Sequence, residues 1–269
     1  MRRHRFLMAG STRVLMLALV ATAILSLIPL SSHATVDWND GFEYTSNTAL
    51  KAVWFSSCTA TQHTGIMEPS TARAHSGSRS LKLTYIGALV ATSFTCFMDR
   101  YYPTTGTLYT RVYVFLDGFR AHDVGSKMIF QGEIKYPNFW TLFTHSTNNF
   151  LMAIQGGVTG GPAANITAGT IPSGRWVCME QRITMNTPGV ANGIFQSWVD
   201  GVQRHNRTDL TMQSSTANTK MKFTRLYRQH GSGTIYFDDY AVSRDARIGC
   251  SGSTPAGDST APQPPTGVR

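Results

Sequence analysis

Beyond residue 34 the sequence holds no apolar run of the ~20 residues that a membrane-crossing helix needs. Acidic groups are scarce, 15 Asp and Glu among 269 residues, and only Glu43, Glu68, Glu133 and Glu180 are glutamates. None of the four belongs to an E-x-D-x-x-E strand motif. Glycoside hydrolysis, which works with two carboxyl groups flanking the bond, therefore ranks third among the functions considered, with Glu133 and Glu180 as its one candidate pair. Lys and Arg form no dense patch, which argues against a nucleic-acid partner. No CxxC or Cys/His spacing suggests zinc. Internal repeats are absent, and so is the long 3.6-residue apolar period that the helical crossovers of a parallel α/β fold would show.

What is present begins with an export signal. Arg2, Arg3, Arg5 and Arg13 precede an apolar stretch from Val14 to Leu30, and Ser32-His33-Ala34 supplies small residues for cleavage. That layout reads residues 1–34 as a secretory signal peptide rather than a membrane anchor, leaving a soluble, secreted chain with no membrane partner. Residues 35–269 then carry 20 basic against 15 acidic groups, a net charge of +5 that suits a polyanionic ligand. All four cysteines, Cys58, Cys96, Cys178 and Cys250, lie in the exported part, where disulfides persist. Of the three connectivities, Cys58–Cys96 with Cys178–Cys250 is favoured, because the second bridge would pin the end of the domain to the strand beginning at Trp176.

Short alternating segments fill residues 35–250: Leu81–Tyr85, Tyr109–Phe115, Lys127–Gln131, Phe139–Thr144, Phe150–Gln155, Trp176–Asn186, Gly193–Val199, Lys222–Tyr227 and Thr234–Ser243. Turn clusters such as Gly160-Gly161-Pro162 and Pro172-Ser173-Gly174 separate them, and Asp200-Gly201 is a type I′ hairpin dipeptide. This is the pattern of an all-β, antiparallel β-sandwich or jelly roll. Residues 251–269, rich in Ser, Thr, Gly and Pro, read as a disordered linker leading towards a fibronectin type III-like module.

Three segments taken together carry a family likeness: Trp38-Asn39-Asp40-Gly41-Phe42-Glu43, then Gly174-Arg175-Trp176-Val177-Cys178-Met179-Glu180 running on to Trp198-Val199-Asp200-Gly201, then Ile235-Tyr236-Phe237-Asp238-Asp239-Tyr240-Ala241-Val242. Their order resembles the concanavalin A-like jelly-roll polysaccharide lyases of the alginate-lyase and glucuronan-lyase type. The resemblance implies a concave sheet that binds an acidic polysaccharide and cleaves it by β-elimination. The alternative is a non-catalytic carbohydrate-binding module, with Trp54, Trp140 and Trp198 as flat faces for sugar rings.

A uronate lyase must neutralise the substrate carboxylate, remove the proton beside it and protonate the leaving oxygen. Tyr109, Arg111, Tyr113 and Phe115 share one face of a strand whose other face, Leu108, Val112, Val114 and Leu116, reads as core. Arg111 and Tyr113 are accordingly catalytic candidates. Lys127 and Gln131 on the next strand join them, as do Tyr227 and the loop histidines His145 and His230, whose ordinary pKa suits proton transfer near neutrality. Tyr109, Trp140 and Arg225 are candidates for substrate binding. No cofactor is required for this chemistry; a structural calcium ion held by Glu43 and Asp239 is expected, and the mature chain is read as a monomer.

Overall fold

Alternation decides which side of each strand meets the core. On the strand Thr107–Arg120, Leu108, Val112, Val114 and Leu116 belong to the buried cluster, as the sequence predicts. The structure, a computed structural model, describes residues 34–59, 64–86, 95–120, 126–132, 139–144, 149–155, 166–212, 221–229 and 232–250. In chain order these contain β1 (Trp38–Asp40), α1 (Asn47–Val53), β2 (Phe55–Thr59), β3 (Thr64–Ser70), β4 (Ser80–Ile86), β5 (Thr95–Thr105), β6 (Thr107–Arg120) and β7 (Ser126–Gly132). There follow β8 (Phe139–Thr144), β9 (Asn149–Gln155), β10 (Ile166–Thr170), β11 (Trp176–Thr184), β12 (Gly193–Val199), β13 (Val202–Leu210), β14 (Met221–Gln229) and β15 (Ser232–Ser243).

These strands form two antiparallel sheets. The first runs β13-β12-β11-β6-β15-β4-β3, with β1 also paired to β15; the second runs β10-β9-β8-β7-β14-β5-β2. The fold is the all-β jelly-roll sandwich expected. Its buried cluster gathers Leu81, Leu83, Val177, Met179, Ile183, Phe195, Ile235 and Phe237 from the first sheet and Leu226 from the second. Helix α1 is one short excursion: Ser46 caps it by accepting from the Ala49 amide, and Leu50 plugs it into the core.

The opening motif is built for the core. Asp40 is buried and accepts hydrogen bonds from the Phe42 amide at 2.7 Å, the Tyr44 hydroxyl at 2.5 Å and the Trp54 indole at 2.7 Å. Trp54 packs against Trp38, Phe42 and Tyr240 with ring centroids 5.4–5.5 Å apart. It is fully buried, so it offers no face to a sugar, contrary to the binding-module expectation. The type I′ turn is as expected: Asp200 and Gly201 both have positive φ, 50° and 78°, and join β12 to β13.

Two β-bulges overturn alternation where it was read straight through. On β15 the register against β6 shifts between Asp238 and Ala241, with Asp239 at φ 46°. One extra residue switches the face of everything beyond it. Tyr240 and Val242 therefore join Ile235 and Phe237 in the core, from which straight alternation would have divided them. A second register shift lies on β7, between Lys127 and Ile129.

Cys178 and Cys250 are bridged, with Cα atoms 5.7 Å apart across 72 residues of sequence. Cys58 and Cys96 stand directly opposite each other in the β2–β5 ladder, the register that the other expected pairing needs. Among the described residues no helix is long and apolar enough to cross a membrane.

Candidate active site

Strand β14 separates two chemistries. Thr224 and Leu226 are completely buried on its inner side, and Leu226 belongs to the core cluster. Arg225 and Tyr227 alternate onto the outer side, where the guanidinium carbon lies 5.7 Å from the centre of the phenol ring. The spacing is that of a cation–π pair, which holds the two groups together. Arg225 remains half-buried and Tyr227 nearly covered.

Register extends this face across the sheet. Arg225 pairs with Asp99 of β5 on one side and with Phe130 of β7 on the other; Asp99 pairs in turn with Phe55 of β2, and Phe130 with Thr141 of β8. Phe55, Asp99, Arg225, Phe130 and Thr141 are thus successive ladder partners across the second sheet. Phe55 is 59% exposed at its edge.

The bulge on β7 divides the other candidates. Lys127 stands opposite Phe143. Gln131 stands opposite the buried Thr224 and opposite Trp140. A register shift between Lys127 and Ile129 separates Lys127 from Gln131 along β7. His145 and His230 lie outside the described residues.

Arg111 and Tyr113 are on the other sheet. They share the outer face of β6, as expected, but the chain end covers them. The Tyr113 hydroxyl donates to the carbonyl of Cys250, and Arg111 donates to the carbonyl of Gly249 at 3.3 Å. Both side chains are buried, and burial pushes the Tyr113 phenol above its ordinary value despite the neighbouring Arg111. His75 stacks on the same phenol at 3.6 Å between ring centroids. Tyr109, half-buried on this sheet, lies 5.4 Å from the Arg182 guanidinium carbon. These residues do not meet Arg225 and Tyr227, because β6 and β14 belong to different sheets.

The segment that covers them is a strap, residues 244–250, and the middle family motif is its anchor. Glu180, 2% exposed, accepts two hydrogen bonds from Arg247, at 2.5 and 2.9 Å, and one from the Gly249 amide at 2.7 Å. Arg247 lies 4.5 Å above the Trp198 ring, and the disulfide fixes the strap's end. Glu180 is therefore engaged and removed from the carboxyl pair that hydrolysis would need. Trp198 is covered by the strap and is no sugar platform.

Glu43 and Asp239 bracket one turn, His75–Arg79. Glu43 accepts from the amides of Ser78 and Arg79, each at 2.9 Å, and from the Ser78 hydroxyl at 2.7 Å. Asp239 accepts from the Ser76 hydroxyl at 2.6 Å and lies 2.5 Å from His75 Nδ1. Its neighbour Asp238 is buried, and desolvation together with the charge of Asp239 pushes its carboxyl up to about 8. Carboxylates and hydroxyls are hard oxygen donors of the kind calcium takes.

No family model and no curated relative matches the chain. Solved structures do. Cellulose induced protein Cip1 superposes with a TM-score of 0.57 at 17% identity, covering 80% of this chain and 100% of that one. The endo-β-1,4-glucuronan lyase of the fungus Trichoderma reesei gives 0.52 at 12% identity, covering 78% and 95%. The alginate lyase of Aplysia kurodai gives 0.52 at 14% identity, covering 78% and 100%. The fold is that of the jelly-roll polysaccharide lyases. At these identities a shared lyase-type fold says nothing about chemistry, which has to come from the side chains themselves.

Two residues escaped the sequence reading. Phe55 sits in a short, polar strand, Phe-Ser-Ser-Cys-Thr, with too little alternation to mark it. His75 lies in a Ser/Gly/Arg-rich turn, and only the fold brings it to β6 and β15.

Proposed function

We propose that this protein is a secreted lyase that cleaves a uronate-containing polysaccharide by β-elimination on the outer face of its second sheet. The observation that carries the reading is the Arg225–Tyr227 pair, a half-buried cation and a phenol only 8% exposed, held side by side on the outer face of a central strand. In this reading Arg225 neutralises the substrate carboxylate. That acidifies the carbon-bound proton beside it, and loss of this proton with breakage of the bond to the leaving oxygen forms the new double bond. Tyr227 protonates the leaving oxygen.

Lys127, His145 and His230 supply candidates for the base.

Ultraviolet absorbance of the new double bond, followed while the chain is incubated with alginate and with glucuronan, tests the reading. Tyr227→Phe should lower turnover about 10²-fold or more and leave binding nearly unchanged. Unchanged turnover would remove Tyr227 from the chemistry. Binding without any absorbance change in the parent protein would make this face a recognition surface only, a role that the exposed Phe55 would also serve.

The proposal includes a structural calcium ion held by Glu43 and Asp239. A divalent cation there would meet the carboxylate and hydroxyl oxygens that gather at the His75–Arg79 turn. Added calcium is expected to raise the melting temperature and a chelator to lower it; a melting temperature indifferent to both would refute the ion.

A further inference from the structure

One row of the first sheet is polar, tied together from side to side, and absent from the proposed chemistry. Tyr109 of β6 stands opposite Arg182 of β11, Arg182 opposite Gln196 of β12, and Gln196 opposite Asn206 of β13. Their chain neighbours Leu108, Ile183 and Phe195 lie in the core, so the row faces outward. Tyr109, Arg182 and Gln196 are half-buried and Asn206 is exposed. The Arg182 guanidinium carbon lies 5.4 Å from the Tyr109 ring centre, its Nη1 donates to Gln196 Oε1 at 3.2 Å, and Gln196 Nε2 donates to Asn206 Oδ1 at 2.8 Å. Yet the cation lacks a counter-charge. Arg73, Arg175, Arg207, Arg244 and Arg247 each hold a carboxylate, whereas Arg182 holds none among the described residues. Its Nε is buried without a hydrogen bond, and its acceptor is a neutral amide. A half-buried guanidinium in that state favours an incoming anion.

We propose that this row is a second binding site for an acidic polysaccharide, carried by the sheet that the candidate active face does not use. A uronate carboxylate meets the Arg182 guanidinium. Hydroxyls of the adjoining sugar meet the Gln196 and Asn206 amides, which keep N–H donors of their own after bonding each other. Tyr109 lies under the guanidinium and orients it. Neighbouring strands are ~4.8 Å apart, so the three steps from Tyr109 to Asn206 span ~14 Å, a length that takes a short run of sugars rather than one ring. Charge complementarity selects the acidic ligand: residues 35–269 carry 20 basic against 15 acidic groups, and Arg204, two residues before Asn206, is exposed. The site shares its ligand class with the lyase reading and none of its chemistry. Polymer held on the first sheet keeps the second sheet at a high local concentration of substrate.

Titration calorimetry of full-chain variants with size-defined alginate and glucuronan oligosaccharides tests the site, while ultraviolet absorbance follows elimination separately. Arg225→Gln, which disables the face of the second sheet, should still bind one oligosaccharide per chain. Adding Arg182→Gln to it should weaken that binding about tenfold or more, the worth of a charge-assisted hydrogen bond. Adding Asn206→Asp instead keeps an acceptor for Gln196 at an exposed position, so the fold should hold, while the new charge repels a uronate. It should weaken binding by a similar factor. Alone in the parent, Asn206→Asp should leave elimination of short oligosaccharides unchanged. No binding by Arg225→Gln, or an affinity that either added substitution leaves unchanged, would overturn the site. Arg182-dependent binding in a protein whose parent never produces the double bond would uphold the site and sink the lyase reading instead.

Discussion

Asp245 ties the chain's first described residues to the strap. Its carboxylate accepts from the Ser243 hydroxyl at 2.5 Å and from the Thr35 amide at 3.2 Å. Those hydrogen bonds, the Ser243 one first, hold its carboxyl down to about 2. A carboxyl depressed in the folded state stabilises above its unfolded value of 3.8, and that contribution disappears as pH falls through about 2. Melting curves between pH 2 and pH 5 should show the parent losing this increment on acidification. In Asp245→Asn the increment should be missing, so the two curves converge at the acid end. Parallel curves throughout would show that the carboxylate contributes no titrating stability. Neither partner was legible in the sequence, because Thr35 and Asp245 are 210 positions apart.

Turns and bulges are where local sequence and fold part company. Gly77 has φ 61°, and a Cβ there would stand 2.2 Å from Glu43 Oε1. Gly77→Ala should destabilise the fold by about 1–3 kcal/mol, combining a left-handed backbone with displacement of the Glu43 carboxylate from the Ser78 and Arg79 amides. Urea unfolding measures it, and a loss near zero would mean that the turn relaxes freely. Strand β6 was readable as far as Leu116, where Leu108, Val112, Val114 and Leu116 enter the core; beyond it Gly118 at φ 57° and a register shift bring Phe119 into the core as well. Strands β7 and β15 were not. Each inserts a residue that no composition signal marks, and on β15 the insertion brings Tyr240 and Val242 into the core beside Ile235 and Phe237.

At the scale of the whole molecule, the Cys178–Cys250 bridge fastens the strap to β11 of the first sheet across 72 residues. On the chain-entropy account a loop of that length contributes about 4 kcal/mol by restricting the unfolded chain. Replacing both cysteines by serine should lower the unfolding free energy by up to that amount, as denaturant titration would show. It should leave elimination on the other sheet intact, and a parallel loss of turnover would tie the strap to the active face.

Residue order alone settled what depends on neighbours along the chain. Alternation of apolar and polar side chains fixed the all-β class, positive-φ turn residues fixed the β12–β13 hairpin, and the preference for pinning the domain's end to the strand at Trp176 led to the observed Cys178–Cys250 bridge. Which sheet each strand joins was a matter for long-range pairing. Arg111 and Arg225 look alike in sequence, each two residues before a tyrosine on an alternating strand. Only the sandwich's sheet order puts one beneath the strap and leaves the other facing water, because hydrogen-bond pairing between distant strands carries no local signature.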